Sequence, residues 1–310
     1  MAEILFLNPV FKQMIWGGDR LHSVFGYDIP GDDTGECWAI SAHPNGDCTV
    51  KNGTYAGMTL SALWEQHREL FGDAKGDVFP LLTKIIDAKA DLSIQVHPND
   101  AYAKEHENGS LGKTECWYVL DCDADATIVI GHNAKSRDEL KTMINEGRWN
   151  EFIREIPIQK GDFFQINPGC VHAIKGGTMI LETQQNSDIT YRVYDYDRLS
   201  NGQKRELHID KSIDVIEVPY QQTEGTGTPA VTENEWFEEL IHCDYYTVWK
   251  GTVNGEALLK QDRSFMLVSV IEGSGAVGDE PIKMGDHFIL PCDFGEETVS
   301  GNFTVICSSI

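Results

Sequence analysis

Three short segments of this chain carry side chains suited to binding a metal ion. In Leu92-Ser93-Ile94-Gln95-Val96-His97-Pro98 the residues alternate, so Ser93, Gln95 and His97 share one strand face and Pro98 ends the ladder by removing a donor. In Lys113-Thr114-Glu115-Cys116-Trp117 the same period puts Lys113, Glu115 and Trp117 on one face, and Pro168-Gly169-Cys170-Val171-His172 delivers a second histidine. Two histidines and one carboxylate on three β segments suit a catalytic site for zinc or another divalent ion, with positions left open for water or substrate. Gln95, on the face of His97, could add an amide oxygen, although amides are weak zinc ligands.

Each of these features also has a plainer explanation. The alternation at 92–97 is the ordinary pattern of an antiparallel strand with an aliphatic face on the core and a polar face in water. Glu115 then becomes a solvated strand carboxylate and His172 a turn histidine. The gaps between the three segments match no short metal motif, so spacing alone favours these plainer readings.

The elements that would have to position such a site are mostly strands. Segments 79–86, 92–97, 116–120, 127–130, 162–166, 179–182 and 189–194 are strand-like, and turn residues separate them, which argues for a sandwich or a double-sheet barrel. Helices are few. One is expected over 60–71, with Thr59 as N-cap, Leu60, Leu63, Trp64, Leu70 and Phe71 on one face, and Gly72 as the stop. A second starts at Ser136, where Glu139 completes a capping box and Leu140, Met143 and Ile144 form the apolar stripe. Trp149, Phe152 and Ile153 repeat helical spacing after Gly147. These helices read as covers on a β scaffold.

The chain has 310 residues, more than the ~250 at which single cores usually stop growing, so two domains are expected. Between Pro219 and Asn234 the composition shifts to Gln, Thr, Gly and Pro, which reads as a linker. The expected division is a catalytic unit over 1–228 and a smaller metal-free β unit over 229–310. A weak internal repeat supports duplication: Lys160-Gly161-Asp162-Phe163-Phe164-Gln165-Ile166-Asn167-Pro168 resembles Met284-Gly285-Asp286-His287-Phe288-Ile289-Leu290-Pro291. Where the first copy goes on to His172, the second has Gly295.

Composition narrows the function classes. Apolar residues make up 41% and charged residues 24%, enough for a sizeable core. The net charge of −24 argues against nucleic acid and anionic membranes as partners, so an anionic substrate must meet locally placed Arg or Lys. Residues 1–18 lack a cationic start and contain Pro9, unlike a signal peptide, and no run is long enough to span a bilayer. The eight cysteines form no Cys-x-x-Cys pair and read as mostly buried thiols of a reducing cytoplasm.

Local context changes the weighing of the metal site. The run from Gly161-Asp162 to His172 is similar to the second motif of the cupin superfamily, and Gln95-Val96-His97 stands where many cupins have His-x-His. A closer resemblance joins Phe79-Pro80-Leu81-Leu82-Thr83-Lys84, the 92–99 segment, Gly112-Lys113-Thr114-Glu115, Pro168-Gly169-Cys170-Val171-His172-Ala173-Ile174, and Gln184-Gln185-Asn186-Ser187-Asp188-Ile189-Thr190-Tyr191-Arg192-Val193-Tyr194-Asp195-Tyr196-Asp197-Arg198. In this order the motifs resemble the type I mannose-6-phosphate isomerases over about the first two-thirds of the chain. Trp16-Gly17-Gly18 and Glu36-Cys37-Trp38 fit that family's opening region. The short chain and the metal-free second unit look like its compact bacterial branch, in which Lys-Thr-Glu replaces the Lys-Pro-Glu of other branches.

The resemblance implies a mainly β fold of tandem cupin-like jelly-roll barrels with a few covering α-helices. It implies interconversion of mannose 6-phosphate and fructose 6-phosphate, a phosphorylated hexose as partner, and one zinc per chain held by His97, Glu115 and His172, with Gln95 as a candidate fourth ligand. Arg192 matches the family's active-site arginine and is expected to share a strand face with Thr190 and Tyr194. Without the family match, an ion pair of Arg192 with Asp188 or Asp195 is the simpler reading. Lys113 is a candidate contact to substrate oxygen or phosphate, and otherwise a surface lysine. Glu182, Lys113 and a zinc-bound water are all open as the proton-transferring base. The rival functions are an iron-dependent cupin oxygenase, which would use the same ligand set, and a sugar-binding regulatory protein on a dead isomerase scaffold.

Overall fold

A computed structural model describes residues 3–200, 202–221, 231–234 and 236–310. Strands dominate it, as expected, and most of them lie in three sheets. A six-stranded sheet runs Phe163–Ile166, Glu115–Cys122, Thr178–Gln185, Leu81–Ala88, Val10–Gly18 and Thr34–Ile40. Opposite it a five-stranded sheet runs Ile153–Pro157, Thr127–His132, His172–Ile174, Ile94–Val96 and Tyr191–Tyr194. Trp16, Ile86, Trp117, Val119 and Ile180 from the first sheet meet Ile128, Ile130 and Ile174 from the second in a shared interior. The polar site lies at one end of this barrel.

Both outer faces are covered too, which explains strands that are apolar on both sides. Ile94, Val96, Val129, Tyr191 and Val193 face outward onto the helices Arg137–Asn145, Trp149–Phe152 and Ile209–Val215. The other sheet's outer face, with Cys37, Ile85, Cys116, Tyr118 and Leu181, packs on Leu60, Leu63 and Trp64 and on Phe265, Leu267, Ile289 and Ile306 of the third sheet. The strand Ile94–Val96 is therefore inverted relative to the plainer reading of 92–97, and Leu92, ahead of it, packs in the interior instead. Its aliphatic residues Ile94 and Val96 lie under helices outside the barrel, and its polar face points inward.

Two helices start as their caps indicate. Thr59 Oγ1 accepts from the Ala62 N–H, and the α-helix Leu60–Gln66 continues as the 3-10 turn Arg68–Phe71 up to Gly72, whose φ is 62°. Ser136 caps Arg137–Asn145, but Glu139 returns its hydrogen bond to the Lys135 N–H at 2.6 Å rather than to Ser136, so the capping box closes one residue early. The helix Asp100–His106, capped by Asn99, was not foreseen.

The nine-stranded third sheet holds the C-terminal strands, and the chain's first strand, Leu5–Asn8, pairs antiparallel with His287–Pro291 in it. Of the expected linker, residues 222–230, including the 228/229 division, lie outside the described residues, and Val231–Asn234 is a strand paired with Phe237–His242 rather than linker. The internal repeat is structural. Gly161 (φ 92°) and Gly285 (φ 90°) open equivalent turns: Gly161 N–H donates to Val119 O at 2.9 Å and Gly285 N–H to Val270 O at 3.0 Å. Asp162 and Asp286 each accept, at 2.9 Å, from the N–H three residues earlier. Through this equivalence Met266 occupies the place of Glu115 and Val268 that of Trp117. The second interior is apolar, built on Met266, Val268, Phe288, Leu290 and Phe303. All eight cysteines are free thiols.

The N-terminal segment is fastened to the third sheet through a buried histidine. His287, 1% exposed, lies 2.7 Å from the Tyr27 hydroxyl and 2.9 Å from Ser269 Oγ, and burial pushes its pKa from 6.5 down to about 3. As pH falls below 6.5, the unfolded chain takes up a proton here that the native state refuses until about pH 3. The stability this histidine contributes is therefore complete above 6.5 and is lost as pH falls through that window, with a slope of up to about 1.4 kcal/mol per pH unit. His287→Gln is expected to flatten the pH dependence of the urea unfolding free energy between about pH 6 and 4 by that order. Equal slopes for variant and parent would contradict it.

Candidate active site and metal centre

The three ligand segments reach the barrel interior through local backbone ties. Gly169 N–H donates to His97 O and Lys113 N–H to Pro98 O, each at 3.0 Å, which binds the second and third segments to the end of the His97 strand. Gly169 has φ 86°, and a Cβ there would lie 2.9 Å from Val215 O, so glycine is required for the close approach. Across the five-stranded sheet His172 is in register with Gln95 and Gln95 with Arg192, which lines up three polar side chains on one inward-facing row. Glu115 arrives from the opposite sheet, at the start of Glu115–Cys122.

His97, Glu115 and His172 converge, with one ligand atom from each lying within 4.8 Å of the others. The two imidazoles are 1% and 0% exposed and the carboxylate 0%. His97 Nδ1 lies 2.7 Å from Ile189 O and His172 Nδ1 3.0 Å from Cys170 O. A carbonyl only accepts, so both Nδ1 atoms carry the proton and both Nε2 atoms present lone pairs. Those Nε2 atoms stand 3.1 Å apart, and each is 3.4 Å from a Glu115 oxygen. Burial lowers both histidine pKa values, that of His97 to about 3, so the rings are neutral at pH 7. Glu115 Oε1 has no hydrogen-bond partner among the described residues, while Oε2 lies 2.6 Å from the Lys113 ammonium. A buried carboxylate facing two imidazole lone pairs is a donor set that fits a divalent cation. Gln95 Nε2 lies 3.2 Å from His172 Nε2. A half-turn of the amide group would bring its oxygen to the same point.

Lys113 is not a surface residue. It is 5% exposed, with Nζ 2.6 Å from Glu115, 3.5 Å from Glu182 and 3.3 Å from His97 Nε2. Burial opposes its charge, but Glu115 and Glu182 outweigh burial and raise its pKa. Burial likewise opposes ionisation of Glu115, and the Lys113 charge beside it holds its carboxyl well below the usual range. The ion pairs continue from Glu182 to Lys84 and from Lys84 to Glu36, both at 3.7 Å, a connection the sequence did not indicate. Three carboxylates and two ammonium groups leave one negative charge in this buried chain, which again suits a cation. Trp117 Nε1 donates to Glu182 Oε2 at 3.0 Å, and burial followed by the Glu115 charge raises the Glu182 pKa.

A cavity of about 100 Å³ adjoins this cluster and is lined by Gln95, Lys113, Glu182, Lys84, Arg192 and Arg205, among others. Arg192 pairs with neither expected partner. Asp188 accepts from Asn45 Nδ2 and Asp195 binds Arg198 and Arg205, while Arg192 Nη1 donates to Glu206 O at 2.8 Å. Thr190 lines the cavity beside Arg192, but Tyr194 does not, because the register shifts between Arg192 and Tyr194. Tyr194 instead stacks on Trp149 in a larger groove of about 550 Å³. That groove contains none of the metal-type cluster, so the chemistry belongs to the smaller cavity. Arg205 was missed because no local pattern marks it, and Lys84, although it ends the 79–84 segment of the resemblance, was given no role.

Trp117→Phe keeps an aromatic ring and leaves Glu182 Oε2 buried without its donor, so the unfolding free energy should fall by about 1–3 kcal/mol. Equilibrium urea unfolding of the metal-free protein measures this, and a loss below about 0.5 kcal/mol would show that the bond adds nothing.

Comparison with known proteins places these features in a family. The model of the phosphomannose isomerase type I catalytic domain matches residues 4–123, and that of the mannose-6-phosphate isomerase cupin domain matches 237–310. The chain is 54% identical to mannose-6-phosphate isomerase ManA of Bacillus subtilis (strain 168), over 100% of this chain and 99% of that protein. It is 50% identical to a mannose-6-phosphate isomerase of Streptococcus mutans, over 99% and 98% respectively. The crystal structure of mannose 6-phosphate isomerase from Bacillus subtilis superposes with a TM-score of 0.96 at 51% identity, covering both chains completely. A variant of phosphomannose isomerase from Salmonella typhimurium shares the fold at 14% identity and a TM-score of 0.81.

Proposed function

The chain belongs to the type I phosphomannose isomerase family and is an isomerase of that family, and from this premise we propose that it interconverts D-mannose 6-phosphate and D-fructose 6-phosphate through an enediol, with one zinc ion per chain. His97, Glu115 and His172 would hold the ion through two imidazole nitrogens and a carboxylate oxygen, and Gln95 would supply a fourth ligand through its amide oxygen. The observation that carries this reading is the convergence of a buried carboxylate and two neutral imidazole lone pairs beside a cavity lined by cations, in a chain about half identical to such isomerases over its full length. Zinc supplies a Lewis acid for the sugar's neighbouring oxygens.

The remaining steps fall to the chain's own residues. Lys113, fixed between Glu115 and Glu182, presents an ammonium where the C1 and C2 oxygens would lie. Arg192 reaches the cavity from the next strand and orients the open-chain sugar while negative charge develops on its oxygens. Glu182, anchored by Trp117 and with its pKa raised by burial, takes the proton from one carbon and returns it to the other. The two sheets built from residues 10–194 form the catalytic unit, and the C-terminal sheet, which Leu5–Asn8 joins, is a support whose apolar interior replaces the ligand cluster. No helix among the described residues is long and apolar enough to cross a membrane. The free thiols fit a reducing cytoplasm, and a net charge of −24 fits work on a phosphorylated hexose rather than on nucleic acid.

Chelation should abolish isomerisation of mannose 6-phosphate in a coupled assay, and zinc should restore it without any need for oxygen, which separates the reaction from that of an iron oxygenase. His172→Ala should lose both bound metal and activity, and a variant that keeps both would remove the core of the reading. Arg192→Ala should lower kcat and kcat/KM together by about 10²-fold with metal content unchanged. A large rise in KM at constant kcat would leave Arg192 only a binding role.

A further inference from the structure

The cavity contains more positive charge at the end away from Glu115 than its carboxylates balance. Arg205 gives Nε and Nη2 to Asp195 at 2.7 and 2.6 Å, and Arg198 Nη2 shares the same carboxylate at 2.5 Å. Arg192, beside them, keeps a buried Nε without a hydrogen-bond partner. Two carboxylates, Asp195 and Glu206, thus stand among three guanidinium groups in a chain whose net charge is −24. Like charges packed together are costly unless an anion joins them. Burial and then the Arg205 charge lower the Arg192 pKa, which reflects the same imbalance.

The sheet sets where this charge lies. His172, Gln95 and Arg192 are successive register partners, so at about 4.8 Å per strand Arg192 stands roughly 10 Å along the row from His172. The next rung is the segment of Arg205: Arg192 N–H donates to His208 Nδ1 at 3.1 Å, and His208 N–H donates to Arg192 O at 2.8 Å. A hexose 6-phosphate holds its reacting carbons, C1 and C2, at one end and its phosphate at the other. With C1 and C2 at the ligand cluster, the phosphate comes toward Arg205.

We propose that Arg205, held in position by Asp195, recognises the phosphate of the substrate and so sets the preference for phosphorylated over free sugar. This rests on the isomerase reading above. The bidentate contact to Asp195 fixes the guanidinium plane and leaves Nη1 for a phosphate oxygen. Arg205 acts in binding, and Asp195 is its positioning residue.

The test uses the full-length, metal-loaded protein. Arg205→Ala should raise KM for mannose 6-phosphate by about 10- to 100-fold with kcat within about twofold, as loss of a charge-assisted hydrogen bond predicts. It should weaken competitive inhibition by inorganic phosphate by a similar factor and leave kcat/KM for unphosphorylated mannose unchanged. Arg205→Lys, which keeps the charge and loses the fork, should recover part of the affinity. Unchanged KM and unchanged phosphate inhibition would overturn the proposal. So would a fall in kcat, metal content and melting temperature together, the signature of a structural role. If the parent protein fails to isomerise mannose 6-phosphate, the isomerase reading fails. In that case calorimetric titration with inorganic phosphate still decides the anion site, since equal affinity in the parent and Arg205→Ala would dismiss it.

Discussion

Glu115 is a carboxylate with no exposed surface, and the rest of the catalytic barrel is arranged to make its burial tolerable. Removing such a charge from water costs several kcal/mol, which only close partners of opposite sign can offset. Lys113 at 2.6 Å is the first partner, and its own burial calls for Glu182, then Lys84, then Glu36. The series crosses the interior of the six-stranded sheet, which is why strand Leu81–Ala88 is buried throughout yet contains a lysine. The histidines complete the arrangement from the opposite sheet. Their protons are committed to carbonyls, so their lone pairs can only face inward.

The second barrel shows what the same backbone does without that constraint. Its Gly-Asp turn repeats the first one bond for bond, yet Met266 and Val268 stand where Glu115 and Trp117 stand, and the interior closes on apolar contacts. A barrel interior can be a dry core or a polar site with its charges paired, and here one chain has each. The sheet-on-sheet contact between the units buries the outer face of the catalytic sheet against Phe265, Leu267 and Ile289. The wall that positions Glu115 and Glu182 is thereby backed by packed side chains on its far side, which limits how far the candidate ligand cluster can drift.

Charge is divided along the cavity in a way that suits an asymmetric substrate. The end at Glu115 offers acceptors and one net negative charge, fit for a cation, and the end at Arg192 and Arg205 offers an excess of guanidinium groups. A phosphorylated open-chain sugar can match both ends in one orientation only, so binding and alignment of the reacting carbons follow from the same two features.

Features encoded between near neighbours were legible in the sequence. The caps at Thr59 and Ser136, the stop at Gly72 and the repeated Gly-Asp turn all depend on residues a few positions apart. The family resemblance then chose among readings that spacing had left open. What the tertiary structure alone decided depends on pairing between distant strands, for which alternation gives a face but no partner. It put the aliphatic side of strand Ile94–Val96 outside the barrel, moved Tyr194 off the face of Arg192 through a register shift, and joined Leu5–Asn8 to the C-terminal sheet. It also linked Lys113 to Glu182, Lys84 and Glu36, and brought Arg205 beside Arg192 through the backbone of His208. Each of these contacts spans a strand gap or a loop, and a local pattern has no term for them because the energy that selects them exists only once the sheets have packed.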